Sequence, residues 1–310
     1  LNLGQDLPIL INQATSVVTS TDAGNGVGYT GIRIRGTDPT RINVTINGIP
    51  VNDAESQSVY WVNMPDLASS TESIQIQRGV GTSNNGQGAF GATINLQTNS
   101  LSTHPGAELH TSVGSFNTFR NTIKLGTGLI NNRWSFDARL SKITSDGYID
   151  RAKSNLQSQY LSGGYYGKSD VLKFVYFGGK EKTYQAWNGV AEENLKDNRT
   201  YNYTGAFTDA QGNQQFYENE TDNYWQDNYQ MHYSKYVNSK LSFNTALHYT
   251  RGKGYFEQYR EEDRFSRYNL DNILLSDGSR ITRSDLVRRR WLDNHFGGFI
   301  FSGNYNAHPN

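Results

Sequence analysis

The chain has no cysteine among its 310 residues. That removes disulfide scaffolds, Cys-ligated zinc or iron–sulfur sites and thiol nucleophiles together. An excess of one charge sign is also missing. Lys+Arg number 29 against 29 Asp+Glu, so no overall basic field invites nucleic acid. Long apolar runs are absent too: no stretch approaches the ~18–20 residues of a membrane-spanning helix, which excludes a helical membrane protein but not a barrel. Hydrophobic residues make up only 35%, yet 13% of the chain is aromatic and 20 residues are Tyr. A disordered chain is poor in aromatics. A transmembrane β-barrel hides its apolar band in alternate positions and reads as polar overall. Asn2, Gly4, Gln5 and Asp6 are too polar for a signal-peptide core, so the chain is expected to begin as a mature segment or an internal fragment.

Catalytic motifs are scarce as well. Gly86-Gln87-Gly88-Ala89-Phe90-Gly91 has the spacing of a dinucleotide fingerprint. That motif must open a helix, and Ala92 to Gln97 after it reads as a strand, so the match is spurious. Gly79-Val80-Gly81-Thr82-Ser83 lacks the lysine of a P-loop. The six histidines (His104, His110, His232, His248, His295, His308) form no close ligand pair, so no metal and no cofactor are expected. No G-x-S-x-G elbow exists, and no enzyme is expected. Glu192-Glu193, Asp209, Glu218 to Asp222 and Glu261-Glu262-Asp263 either bind cations or sit in solvated loops. Asn198, Asn202 and Asn219 head N-x-S/T triplets of a kind that an Asn-rich chain generates by chance. Arg288-Arg289-Arg290 either faces anionic headgroups or ends a strand.

What is present comes in two parts that meet near residue 100. The first carries short strands between Gly-rich turns. Ile32 to Arg35 alternates and stops at Gly36, and Arg41 to Ile46 alternates up to Asn47-Gly48, a strong hairpin signal. Ile49-Pro50-Val51 reads as a short edge strand. Ser73 to Arg78 and Gly91 to Thr98 read as further strands, with short helices expected at Leu7 to Val17 and around Pro65 to Ser70. The second part alternates over much longer stretches. Trp134, Phe136, Ala138 and Leu140 share one face while Ser135, Asp137, Arg139 and Ser141 share the other. Eight such strands are predicted, over about 106–116, 118–130, 133–145, 155–167, 170–184, 222–236, 240–257 and 289–305. Short turns fall on one side and long loops on the other, as in outer-membrane barrels. A soluble β-sandwich is the competing architecture.

Five pieces in order then resemble the plug of TonB-dependent outer-membrane receptors. They are Ile32 to Gly36, Ile42 to Asp53 with its Asn-Gly-Ile-Pro, Ile74 to Gly81, the Gly-rich loop through Ser83 and Gly88 to Gly91, and Ile94 to Thr98. Asn52 to Ser56 and Tyr60 to Asn63 look like the wording of Bacteroidota receptors, not the glycan-importing branch. The resemblance implies a mainly β chain: a small mixed α/β plug domain over residues 1–100, its N-terminal part missing, then antiparallel transmembrane barrel strands over 101–310. The barrel is incomplete, about 8 strands of the ~22 that enclose a plug.

The resemblance further implies active import across the outer membrane of a Gram-negative bacterium, of a scarce nutrient such as a ferric siderophore or ferric citrate-like chelate. Haem, cobalamin or an oligosaccharide are the alternative cargoes. The TonB–ExbB–ExbD complex is the implied partner, acting through a segment outside the sequence, with outer-membrane lipids around the barrel and no nucleic acid. Matching positions make Arg35-Gly36 and Arg78-Gly79 the expected plug–barrel lock, their guanidinium groups pairing with wall carboxylates. Ser58, Tyr60, Trp61, Tyr184 and Trp187 are the expected ligand contacts. A small structural or adhesive eight-strand barrel is the alternative of a different class, although so narrow a barrel cannot enclose a plug.

Overall fold

The computed structural model describes residues 2–80 and 90–307. Gly81, Ser83, Gly86 to Ala89 and His308, singled out above, lie outside the described residues. The N-terminal unit opens on a single helical turn, α1 (Leu7–Leu10). Beyond it the β-branched run Val17-Val18-Thr19 goes into a strand instead of prolonging the helix. That strand, β1 (Val17–Thr21), pairs antiparallel with β2 (Thr30–Ile34). The expected helix from Leu7 to Val17 is therefore one turn long. A four-stranded mixed sheet follows, in the order β4-β3-β6-β5, from β3 (Ile42–Ile46), β4 (Ile49–Pro50), β5 (Thr71–Arg78) and β6 (Ala92–Thr98). Asn47 and Gly48 both take positive φ, 55° and 78°, as the tight β3–β4 turn requires.

A second, eight-stranded antiparallel sheet carries the rest of the chain. Its strands are β7 (Pro105–Gly114), β8 (Thr118–Thr127), β9 (Trp134–Ser145), β10 (Ser154–Tyr166) and β11 (Asp170–Tyr184). A loop hairpin of β12 (Ala206–Thr208) and β13 (Gln214–Phe216) precedes β14 (Thr221–Tyr236) and β15 (Leu241–Arg264). Another, β16 (Ile273–Leu274) and β17 (Arg280–Ile281), precedes β18 (Arg283–Tyr305). The eight strands meander in chain order, so the predicted set and its pairing are present. Connections 128–133, 167–169 and 237–240 lie on one side; 146–153, 185–220 and 265–282 lie on the other, joined there by the tight turn 115–117. β15 and β18 run for 24 and 23 residues. At about 3.3 Å per residue and a ~45° tilt, each rises well beyond a ~30 Å hydrocarbon core. Arg288-Arg289-Arg290 consequently sits inside β18 and does not end a strand.

The sheet is inside-out by the standards of a soluble protein. Its apolar residues, among them Leu109, Ile123, Phe136, Leu140 and Phe299, are exposed, while Thr122, Ser135, Arg139, Ser141 and Ser158 are buried. Apolar-out, polar-in alternation is what a membrane barrel wall requires. The buried polar face is covered by the N-terminal unit, whose Ile34, Ile46, Trp61, Ile94 and Leu96 form one core with Tyr160, Val175 and Phe177 of the wall. Gly179 lets the two backbones meet: a Cβ there would collide with the Asn63 carbonyl and Pro65.

Candidate functional site

The most heavily bonded group in this interface is Asp66. It precedes the 3-10 turn Leu67–Ser70 with φ 54° and ψ 25°, a left-handed conformation that Asp tolerates when its short side chain bonds locally. Ser69 Oγ supplies that bond, donating to Oδ1 at 2.6 Å. The wall supplies the rest. Arg120 Nε of β8 lies 3.1 Å from Oδ1, and Arg139 Nη1 of β9 lies 3.3 Å from Oδ2. Thr122 and Ser141 hydroxyls donate to Oδ2 at 2.8 and 2.6 Å. Arg139 spends its other donors on Ser70, Ser141 and Ser158 at 2.7, 2.7 and 2.8 Å. The Asp66 side chain is 0% exposed, and those of Arg120 and Arg139 are 5% and 3% exposed. Burial alone would raise the Asp66 carboxyl. Arg139, the Ser141 and Ser69 hydroxyls and Arg120 outweigh it and hold the group at about 2. Asn2 joins the cluster, its Nδ2 donating to Asp66 Oδ1 at 3.0 Å and to Ser69 Oγ at 3.2 Å.

A second cluster forms toward the long loops. Tyr29 OH donates to Asp222 Oδ2 of β14 at 2.7 Å and reaches Glu181 Oε1 of β11 at 3.4 Å. Its ring meets Trp187 edge-on at 6.0 Å, Trp187 meets Phe256 at 5.8 Å, and Arg290 lies 5.4 Å over the Phe256 face. The neighbouring Asp6 is buried with Thr30 Oγ1 donating to Oδ2 at 3.0 Å, while Oδ1 has no hydrogen-bond partner among the described residues. Burial pushes the Asp6 carboxyl up to about 8, against the smaller opposing effect of Thr30.

The residues expected from sequence are dispersed differently. Arg35 and Gly79 meet, since a Cβ on Gly79 would lie 3.3 Å from Arg35 Nη1. Arg35 N donates to Ser16 O at 2.9 Å, and Arg78 Nη1 donates to Thr15 O at 3.2 Å. Both Arg-Gly pairs thus converge on one corner of the N-terminal unit, where Arg35, Gly36 and Arg78 are exposed. Neither guanidinium forms an ion pair among the described residues. Trp187 lies in the aromatic cluster. Tyr60 is exposed and Ser58 half-buried in the 52–60 segment. Trp61 is 3% exposed in the core, so its ring offers no face to a ligand. Tyr184 follows Lys180 and Lys182 on the outward face of β11, by the alternation of the strand. Sequence reasoning passed over Asp66, Arg120, Tyr29 and Phe256, and read Arg290 as facing headgroups or ending a strand. Arg120 was within reach of it: Thr118-x-Arg120-x-Thr122 has the inward, polar parity already noted for Arg139.

Residues 4–93 match the family described as the TonB-dependent Receptor Plug Domain. The N-terminal unit is a TonB-dependent receptor plug. No curated protein matches the chain in sequence. Among solved structures, the ferric-catecholate import receptor Fiu of E. coli K12 in its open form superposes with a TM-score of 0.68 at 15% identity, over 97% of this chain and 44% of Fiu. The copper transporter OprC gives 0.61 at 13% identity, over 82% of this chain and 35% of OprC. The ferric citrate transporter FecA gives 0.59 at 18% identity, over 82% and 40%. The chain spans less than half the length of each. The eight-stranded sheet therefore has the fold of a receptor wall, with the plug seated on its polar face. In this interface the plug contributes a carboxylate, Asp66, and the wall two guanidinium groups, Arg120 and Arg139.

Proposed function

We propose that residues 1–100 act as the gate, and residues 101–310 as part of the barrel, of an outer-membrane receptor that imports a scarce nutrient with energy delivered through TonB. The cargo proposed is a ferric siderophore or ferric citrate-like chelate. The observation that carries this reading is the plug wedged on the polar face of an apolar-out sheet through Asp66, Arg120 and Arg139. A gate has to be held firmly and still be released by force. Charge-assisted hydrogen bonds do both, because they are strong at short range and water entering a widening gap replaces them. Asn2 bonds the lock carboxylate directly, so tension on the N-terminal segment reaches Asp66 before it reaches the plug sheet.

Tyr29, Trp187, Phe256 and Arg290 form the proposed ligand-facing corner, with Tyr60 and Ser58 on the adjoining plug segment. Aromatic faces beside a guanidinium suit a flat anionic chelate. Fiu and FecA are described by iron-chelate cargoes and OprC by copper, so the fold leaves the cargo to be measured. The test is uptake of radiolabelled ferric citrate and a ferric catecholate by cells expressing the full-length protein. Energy-dependent uptake that disappears without TonB supports the reading; uptake unaffected by loss of TonB refutes it.

A further inference from the structure

The outward face of the sheet carries a feature that neither gating nor cargo binding uses. Just on the long-loop side of the apolar band, β7, β8, β9, β10, β11 and β14 line a hollow of about 770 Å³. Gly178, on its lining, lets the Tyr176–Asp227 pair lie across the backbone: a Cβ there would press on Asp227 Oδ1 at 2.6 Å and Tyr176 OH at 2.8 Å. The strand register places Lys142, Gln157, Lys180 and Trp225 in one row across its upper wall. Leu109, Ile123 and Leu140 form the lower wall and are exposed.

Two ammonium groups two strands apart, about 10 Å between backbones, face the same side of the sheet. Neither Lys142 nor Lys180 has a carboxylate partner among the described residues; Lys142 bonds the Asn155 amide oxygen. Asp227 lines the far rim, with its carboxylate engaged by Tyr176 OH at 2.7 Å. Ordinary interfacial lysines bend toward water singly. Here a pair flanks one glutamine beside a tryptophan, over a hollow whose other wall is apolar. The walls match an amphiphile with an anionic head and acyl chains.

We propose that this hollow binds the phosphorylated headgroup of a membrane lipid in the loop-side leaflet, with the phosphate between Lys142 and Lys180. The lipid's chains lie over Leu140 and Ile123, and the Gln157 amide donates to a phosphate oxygen. The inference rests on the membrane placement proposed above and is independent of the cargo.

The test uses the full-length protein folded in detergent, with native mass spectrometry after adding bisphosphorylated lipid A, its chemically dephosphorylated form, or inorganic phosphate. Wild type should retain one lipid A, and the Lys142→Gln/Lys180→Gln variant should retain it about 30-fold less tightly, roughly fivefold for each lysine near a charged lipid surface. A Lys235→Gln/Lys240→Gln variant on the short-turn side should match wild type. Equal retention by the Lys142/Lys180 variant, equal retention of dephosphorylated lipid, or retention of inorganic phosphate alone would overturn the site. A heat-modifiable band in gels reports the folded barrel independently. If that band persists while lipid selectivity is absent, only this inference falls; if it is absent, the membrane reading falls with it.

Discussion

Replacing Asp66 by Asn tests the lock at its centre. The substitution keeps the volume and removes the charge, leaving the Arg120 and Arg139 side chains, 5% and 3% exposed, without their counter-ion. Removing one partner of a buried pair costs about 3–5 kcal/mol. That corresponds to a shift of roughly 150- to 4,000-fold in the equilibrium between seated and unseated plug. The assay is conductance of the full-length protein in planar bilayers during a urea titration, where unseating opens the lumen. Wild type and variant should open at well-separated urea concentrations. A triple variant, Asp66→Leu/Arg120→Met/Arg139→Met, should recover most of the loss, because a buried ion pair replaced by apolar groups of similar volume is often neutral. The Arg35→Ala/Arg78→Ala variant should stay within about 1 kcal/mol of wild type, as exposed charges do. Opening of Asp66→Asn at the wild-type urea concentration refutes the assignment. So does a larger effect from Arg35 and Arg78, which would return the lock to the Arg-Gly corner. Acid offers a check on the same group. Asp66 is held at about 2 against an ordinary value near 4, so the plug should lose roughly 2–3 kcal/mol as pH falls from ~4 through ~2.

Two further outcomes separate other parts of the interface. Asp6 is raised to about 8, so between pH ~4 and ~8 the folded state keeps a proton that the unfolded chain has lost. Stability should therefore fall as pH rises through that window, opposite to the trend for Asp66, and Asp6→Asn should flatten it; urea midpoints at pH 5 and pH 8 that differ equally in both proteins would contradict this. Gly179→Ala should loosen the plug by about 1–3 kcal/mol, because the new Cβ meets the Asn63 carbonyl and Pro65. Gly303→Ala, with nothing within 4 Å, should open at the wild-type urea concentration.

The wall was legible because each of its strands states its environment residue by residue. Trp134, Phe136 and Leu140 against Ser135, Arg139 and Ser141 reports two different solvents on two faces, and a period of two is hard to mistake over twelve residues. The plug was legible through turns: Asn47-Gly48 can do little but reverse the chain. The helix at Leu7 was overextended because apolar spacing over one turn cannot oppose the strand preference of Val17 and Val18, which pair with β2 only in three dimensions.

The Asp66 cluster proposed as the lock was not legible for a related reason. Asp66 and its partners stand 54 and 73 positions apart along the chain, and nothing local marks an aspartate after a proline as anything but a turn. What was available was an unspent obligation. Arg120 and Arg139 both have the inward parity of a membrane strand, among Ser and Thr too weak to neutralise them. A guanidinium in a confined lumen requires an anion. The sheet's own inward residues near them are the hydroxyls Thr122, Ser141 and Ser158 and one carboxylate, Asp137, which Ser102 N and Oγ engage. Two inward arginines against that single nearby wall carboxylate leave one positive charge over, and the plug's Asp66 is the carboxylate that meets both guanidinium groups.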